Sequence, residues 1–339
     1  MNQSHLIFIC SELQLGSPTD VVSSVKGSRG GSFIWRVSTD KATYAIKQLA
    51  PSIDLKNEKM VAKYELSESI ASRFACEGSP AISAIEKTGK HLHIIDNKGY
   101  LVYPWVEGYV LGRNEISEPH ALKIAETIAK LHHINMNVPE AGEPRVDIFS
   151  NDKIIEAIDK AVSFKCPFAK TLKENQSLIL SMNDSYQTVI PLLLEDTVVS
   201  HGDLDQLNIL WDKADQPILI DWESVRKLNP TREIVRASLG WSGMGTDNSS
   251  ALPIYNRMLR TYIKSGGVIN VDHLHAAFYS TIGSMVFWML YNIEIACTTD
   301  AVEVMATAIK EIDGVMMGMS KFNILVPDLL KATIAACSS

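Results

Sequence analysis

Two stretches of the chain carry residues whose types and spacing could do chemistry. They are His201-Gly202-Asp203-Leu204-Asp205-Gln206-Leu207-Asn208-Ile209-Leu210 and Ile220-Asp221-Trp222-Glu223. Asp203 lies five residues before Asn208, and Asn208 thirteen before Asp221. Between them stand Ile209-Leu210-Trp211, a polar turn over 212–216 and Pro217-Ile218-Leu219-Ile220, which read as two short apolar strands in a hairpin. Closing that hairpin brings Asn208, just before the first strand, next to Asp221, just after the second. One carboxylate can then receive a hydroxyl proton, while the amide oxygen and the other carboxylate hold Mg2+ on a triphosphate. This is the catalytic half of a kinase-type phosphoryl-transfer site. Aspartate and asparagine also gather in ordinary turns and caps. The two fragments in order, with matched spacing and apolar strands between, favour the chemical reading.

These residues resemble the aminoglycoside phosphotransferase and choline kinase family, small-molecule relatives of the protein kinases. Its signature runs His-Gly-Asp-Leu, three variable residues, Asn-Ile-Leu, and later Ile-Asp-Trp-Glu. The resemblance extends from about residue 20 to the C-terminus, and the two catalytic motifs are its specific part. It implies an α+β, bilobal protein-kinase-like fold with a small strand-rich N-lobe and a larger helical C-lobe. The expected division is 1–105 for the nucleotide-binding lobe and 106–339 for the catalytic and acceptor-binding lobe.

The elements that must position these groups follow the same plan. Val21-Val22 and Val25 lead into Lys26-Gly27-Ser28-Arg29-Gly30-Gly31-Ser32. Strand-like alternation then runs from Phe33 to Val37 and from Thr43 to Leu49, with a turn between. Residues 57–76 carry helical spacing. Residues 81–85, 91–95 and Leu101-Val102-Tyr103 read as strands, the last ending at Pro104-Trp105-Val106-Glu107-Gly108. Helical spacing then dominates 119–134, 152–164, 168–194, 252–265, 273–297 and 299–319. Strands first and helices second fit two lobes joined near residue 105.

The resemblance assigns further roles. Gly30, Gly31 and Ser32 would cover the nucleotide phosphates, although a glycine turn in a hairpin alone would explain the glycines. Lys47 would grip the α- and β-phosphates, although a lysine in a strand is most often a surface residue. A helical glutamate would hold that lysine. Glu68 is preferred for this, with Glu65 the alternative. Pro104 C=O and Val106 N–H would meet the adenine edge. Asp203 is the expected catalytic base, and Asn208 and Asp221 are the expected metal ligands. His201 is expected to position the loop. Glu223 could touch substrate or a second ion, or serve structure alone.

Composition narrows the partners. Of 339 residues, 46% are hydrophobic and 21% charged, ordinary for a globular protein. A net charge of −7 provides no basic field for nucleic acid or an anionic membrane. Cys10, Cys76, Cys166, Cys297 and Cys337 are scattered, so neither a metal knuckle nor a disulfide framework is expected, and a reducing cytoplasm fits. The N-terminus does not read as a signal peptide. The apolar stretch 276–297 contains Ser280, Ser284, Asn292 and Glu294 and reads as a buried helix rather than a membrane span.

Gly202 before Asp203, Asp-Trp-Glu in place of Asp-Phe-Gly, and the lack of a following Ala-Pro-Glu argue against control by activation-loop phosphorylation. The expected activity is transfer of the γ-phosphate of ATP, or of GTP, to a hydroxyl of a small molecule such as an aminoglycoside, amino alcohol, homoserine or sugar. The alternative is a non-catalytic nucleotide-binding sensor on the same fold. For the acceptor pocket the helical half offers Asp247, Glu294, Asp300, Glu303, Glu311 and Asp313, or the rings of Trp241, Tyr279, Phe287, Trp288 and Tyr291. Those rings are better explained as core residues.

Overall fold

Alternation of apolar and polar residues in the first hundred positions builds one antiparallel sheet. Its strands are β1 (Pro18–Lys26), β2 (Phe33–Thr39), β3 (Thr43–Gln48), β4 (His93–Ile95) and β5 (Lys98–Pro104), in the order β1-β2-β3-β5-β4. The computed structural model describes residues 1–26, 31–244, 251–299 and 301–337. Gly27, Ser28, Arg29, Gly30, Asp247 and Asp300, named above, lie outside the described residues.

Period-two alternation gives the sheet two different faces. Trp35, Val37, Ile46, Tyr100 and Val102 cluster with Leu6, Ile9 and Cys10 of helix α1 (Gln3–Glu12). Asn2 starts that helix by accepting from the Ser4 N–H. His5 ties it to the sheet through the Tyr100 hydroxyl at 2.8 Å. The opposite face carries Leu49 and Leu101, which pack with Tyr64 of helix α2 (Glu58–Cys76). Asn57 caps α2, Glu58 stands in its first turn and Arg73 in its last, each suited to the helix dipole. Lys47 alternates with Ile46 and so lies on the α2 face, in the central strand, paired with Ile34 and Leu101.

Residues 81–85 form no strand. Ala81 bridges Leu219, while the Ile85 N–H donates to Val102 O at 2.7 Å. The segment bonds at its two ends to different partners, so no ladder can build along it.

The chain divides into two compact units. One comprises Met1–Glu115, Asn137–Gly142 and His201–Arg226, and the other Ile116–Met136, Glu143–Ser200 and Lys227–Ser339. In the first, strands β7 (Ile209–Trp211) and β8 (Pro217–Leu219) form the expected hairpin, with Ile209 opposite Leu219. The short β6 (Val198–Ser200) precedes the His201 segment in sequence, and β9 (Arg226–Leu228) follows the Asp221 segment.

The second unit is helical: α3 (Glu118–Ile134), α4 (Asn151–Ser163), α5 (Ala169–Glu174), α6 (Gln176–Val189), α7 (Pro230–Trp241), α8 (Ala251–Lys264), α9 (Leu274–Thr298) and α10 (Val302–Cys337). The single helix expected over 168–194 is broken at Asn175, whose φ of −100° and ψ of 7° end one helix and start the next. The last helix continues well past residue 319 and accommodates Pro327. Glu233 stands in the first turn of α7, and its carboxylate meets His132 Nε2 at 2.7 Å. His132 Nδ1 lies 2.8 Å from the Tyr262 hydroxyl. Two buried polar side chains of α9 turn back onto their own backbone, Ser280 onto Ala277 O and Asn292 onto Trp288 O, while Glu294 accepts from Lys160 Nζ. No described helix is long and apolar enough to cross a membrane.

Candidate active site

Closing the hairpin sets the site. The Ile220 N–H donates to Asn208 O at 3.0 Å, continuing the ladder one step beyond Ile209 and Leu219 and setting Asn208 beside Asp221. The Asn208 side-chain amide donates twice to Asp203, to its backbone O at 2.8 Å and its carboxylate Oδ2 at 3.0 Å. With its N–H groups on Asp203, Asn208 keeps its amide oxygen as the acceptor end. Asp221 in turn accepts from Lys47 Nζ at 3.0 Å. Asp203 with Asn208, and Asp221 with Lys47, therefore form two bonded pairs that the Ile220–Asn208 backbone bond brings together within a single unit.

Asp221 adopts left-handed backbone angles, φ 62° and ψ 63°, which aspartate tolerates better than most residues. The turn that follows, Trp222–Ser224, buries Trp222 against Phe74 of α2, ring centroids 5.3 Å apart. His201 is fully buried against Trp222 at 4.7 Å. Its Nδ1 accepts the Asp203 N–H at 3.3 Å, so Nε2 carries the proton and donates to Ile220 O at 3.0 Å. His201 thus joins the two motifs and positions the loop that carries Asp203.

The electrostatics centre on Lys47. Its side chain is 12% exposed and receives two carboxylates, Asp221 at 3.0 Å and Glu223 at 2.6 Å. Burial pushes the ammonium pKa down, but the two carboxylates outweigh it and hold the lysine above its ordinary value. Glu223 also accepts from the Tyr64 hydroxyl at 3.3 Å. Burial, reinforced by Glu223, raises the Tyr64 pKa.

The glutamate expected to hold Lys47 has other partners. Glu68 is buried and accepts from the Ala84 N–H and the Tyr103 hydroxyl, both at 2.7 Å. Glu65 accepts the His91 and Leu92 N–H groups at 2.7 and 3.1 Å. Burial raises the Glu68 pKa, and the two hydrogen bonds and the nearby Lys47 charge only partly oppose this. The carboxylate that holds Lys47 most closely is Glu223, which sequence spacing placed near the site without a partner. Its position two residues after Asp221 was the available signal.

Gly31 has φ 77°, a conformation that favours glycine, and Ser32 follows just before β2. Pro104 ends β5 opposite Tyr44. The Val106 N–H has no hydrogen-bond partner in the chain among the described residues. Two residues on, a Cβ on Gly108 would stand 2.6 Å from Trp211 O. Tyr109 and Trp211 exchange backbone hydrogen bonds of 3.0 and 2.8 Å, so the segment after Val106 is laced to the catalytic hairpin.

The donor set suits a hard cation. Asn208 offers an amide oxygen, and Asp221, one residue past the Asn208 partner Ile220, offers a carboxylate; no cluster of three His, Cys, Asp or Glu side chains able to hold a metal occurs among the described residues. Magnesium takes few protein oxygens and completes its shell with phosphate and water, so Asn208 and Asp221 fit it.

The chain belongs to the phosphotransferase enzyme family, whose model matches residues 29–262. Its class is that of small-molecule kinases with an α+β, protein-kinase-like fold. Spectinomycin phosphotransferase APH(9)-Ia, solved with ADP and spectinomycin, shares the fold at a TM-score of 0.69 and 14% identity, covering 95% of this chain and 99% of that one. Choline kinase LicA from Streptococcus pneumoniae aligns at 0.57 and 15% identity, over 94% of this chain and 100% of that one. An ethanolamine kinase from Plasmodium vivax aligns at 0.54 and 15% identity, over 87% and 81%. No curated protein sequence matches the chain significantly.

Proposed function

We propose that the chain transfers the γ-phosphate of ATP, or of GTP, to a hydroxyl of a small molecule such as an aminoglycoside, amino alcohol, homoserine or sugar. The observation that carries this reading is a run of hydrogen bonds from Asp203 to Asn208, from Asn208 O to the N–H of Ile220, the residue before Asp221, and from Asp221 to Lys47. Asp203 orients the acceptor hydroxyl and takes its proton as the new O–P bond forms and the bond to the leaving diphosphate breaks. The Asn208 amide fixes the Asp203 carboxylate for that task. Lys47 neutralises phosphate charge, and the Gly31–Ser32 segment covers the phosphates. Pro104 C=O and the unpartnered Val106 N–H meet the base. Asn208 and Asp221 would hold Mg2+, which supplies charge neutralisation across the transferring phosphates.

Nucleotides bound in similar folds support the cofactor assignment: ADP and AMP in the spectinomycin enzyme and AMP-PNP in amicoumacin kinase for the adenine series, and GDP in an aminoglycoside phosphotransferase for the guanine series. In this reading residues 1–105 hold the nucleotide, and 106–339 supply the catalytic and acceptor-binding groups. The scattered placing of the five cysteines in the sequence supports a cytoplasmic setting.

The test is a coupled ADP-release screen across antibiotics, amino alcohols, amino acids and sugars, run on the wild type and on Asp203→Ala. The variant should keep the thermal shift induced by Mg-nucleotide and lose transfer. Unchanged turnover in Asp203→Ala overturns the assignment. A wild type that is stabilised by nucleotide and phosphorylates nothing would instead be a sensor.

A further inference from the structure

We infer that Glu223, braced by Tyr64, is the residue that positions Lys47 for the nucleotide phosphates, in place of a glutamate from helix α2. The inference rests on the phosphotransferase reading above and deepens it.

Three independent contacts carry it. Glu223 Oε1 stands 2.6 Å from Lys47 Nζ, closer than the 3.0 Å of Asp221. The other oxygen of Glu223 receives the Tyr64 hydroxyl at 3.3 Å, so the carboxylate is held at both ends. Tyr64 lies on α2, is 4% exposed and packs with Leu49 and Leu101 on the Lys47 face of the sheet. Helix α2 therefore reaches Lys47 through a hydroxyl and a carboxylate in series rather than directly. The two acidic candidates on that helix are committed elsewhere. Glu68 has Ala84 N–H and Tyr103 OH, and Glu65 has His91 N–H and Leu92 N–H.

The division of labour has a physical reason. A lysine with two carboxylates is fixed in both direction and charge, and Asp221 is also the group expected to face a metal ion. When Asp221 turns to a cation, Glu223 remains as the counter-charge that keeps the ammonium aimed at the phosphates. Tyr64 stops the Glu223 carboxylate from following it. Because Tyr64 sits on a helix and Glu223 on the loop after the hairpin, the pair also fixes the loop against the sheet.

The test measures affinity for ATP and for adenosine at limiting and at saturating Mg2+, in the wild type, Glu223→Gln, Tyr64→Phe, Glu68→Gln, Lys47→Ala and the Lys47→Ala/Glu223→Gln double variant. Adenosine lacks phosphates, so a general loss of structure moves both ligands and a loss of Lys47 positioning moves ATP alone. The expectation is that Glu223→Gln weakens ATP about tenfold, a difference of ~1.4 kcal/mol, and leaves adenosine unchanged. Tyr64→Phe should shift ATP in the same direction by less. Glu68→Gln should weaken ATP less than Glu223→Gln does. In the Lys47→Ala background, Glu223→Gln should add little, because the two residues act as one unit.

Independent, multiplying effects of Lys47→Ala and Glu223→Gln overturn the inference. So does a Glu68→Gln loss as large as that of Glu223→Gln, or a Glu223→Gln loss that excess Mg2+ restores, which would make Glu223 a metal ligand. If the wild type binds adenosine and ATP equally, the phosphotransferase reading fails and takes this one with it. If ATP binds better and Glu223→Gln matches the wild type, only the positioning role fails. A melting curve without ligand confirms that each variant is folded, and Tyr64→Phe provides the same readout without altering a charge.

Discussion

Arg226 reaches back to Gly202. Its guanidinium donates to Ser224 O at 2.8 Å and to Gly202 O at 3.4 Å, bracing the residue before Asp203 against the loop that follows Asp221. Gly202 makes room for this with φ 78°. A Cβ there would stand 2.5 Å from Ser224 O and 2.8 Å from Arg226 Nη1. The two motifs are thus joined by an arginine from one side and by His201 from the other.

Gly202→Ala should therefore cost stability and misplace Asp203. The left-handed angle alone costs about 1–2 kcal/mol for a residue with a Cβ, and the clash adds to it. Urea denaturation should show a loss of at least that size. ADP release with an accepted substrate should fall by more than tenfold. A variant of wild-type stability and turnover would refute the packing account of Gly202.

Asn208→Asp replaces a donor to the Asp203 carboxylate with a second carboxylate. The Nδ2 contact of 3.0 Å becomes a like-charge approach at short range. Turnover should fall at least about tenfold, equivalent to ~1.4 kcal/mol of transition-state stabilisation. Asn208→Ala removes the donor without adding charge, and should lose less in Asp203 positioning while also losing the amide oxygen. Steady-state kinetics over a Mg2+ series separates the two: a deficit in Asn208→Ala that excess metal relieves marks the oxygen as a ligand.

Glu68 provides a pH prediction. Its folded pKa is raised above 4.5 by burial, so between the unfolded and folded values the native chain binds more protons than the unfolded one. Stability falls as pH rises through that window. Glu68→Gln has no such proton. The stability of the wild type relative to Glu68→Gln should decline as pH rises from below 4.5 toward neutrality, and denaturation curves at stepped pH read it directly. A difference that stays flat would show that Glu68 ionises as freely in the fold as outside it.

Much of the candidate site's geometry was legible because it is local. The intervals among Asp203, Asn208 and Asp221 encode a hairpin, and hairpin register is a short-range property. The Lys47 strand was legible for the same reason, since alternation about Ile46 determines which face the lysine takes. Partner choice among the carboxylates was not legible. Glu68 is drawn to Ala84 and Tyr103, and Glu223 to Tyr64 and Lys47, by chain segments distant in sequence. Helix α1 went unread because Leu6, Ile7, Phe8, Ile9 and Cys10 form an unbroken apolar run without helical periodicity. Its one local signal is the Asn2 cap. The break at Asn175 was equally silent, because apolar residues recur at helical spacing on both sides of it.

The paired backbone bonds between Tyr109 and Trp211 set a molecular ruler. The edge that would read the nucleobase runs, through one bridge at Tyr109 and Trp211, to the hairpin that would grip the triphosphate. On the proposed reading, that bridge would help to set the span from base to transferred phosphorus. On the same reading, a donor that is one phosphate short would sit at the base and fall short of Asp203.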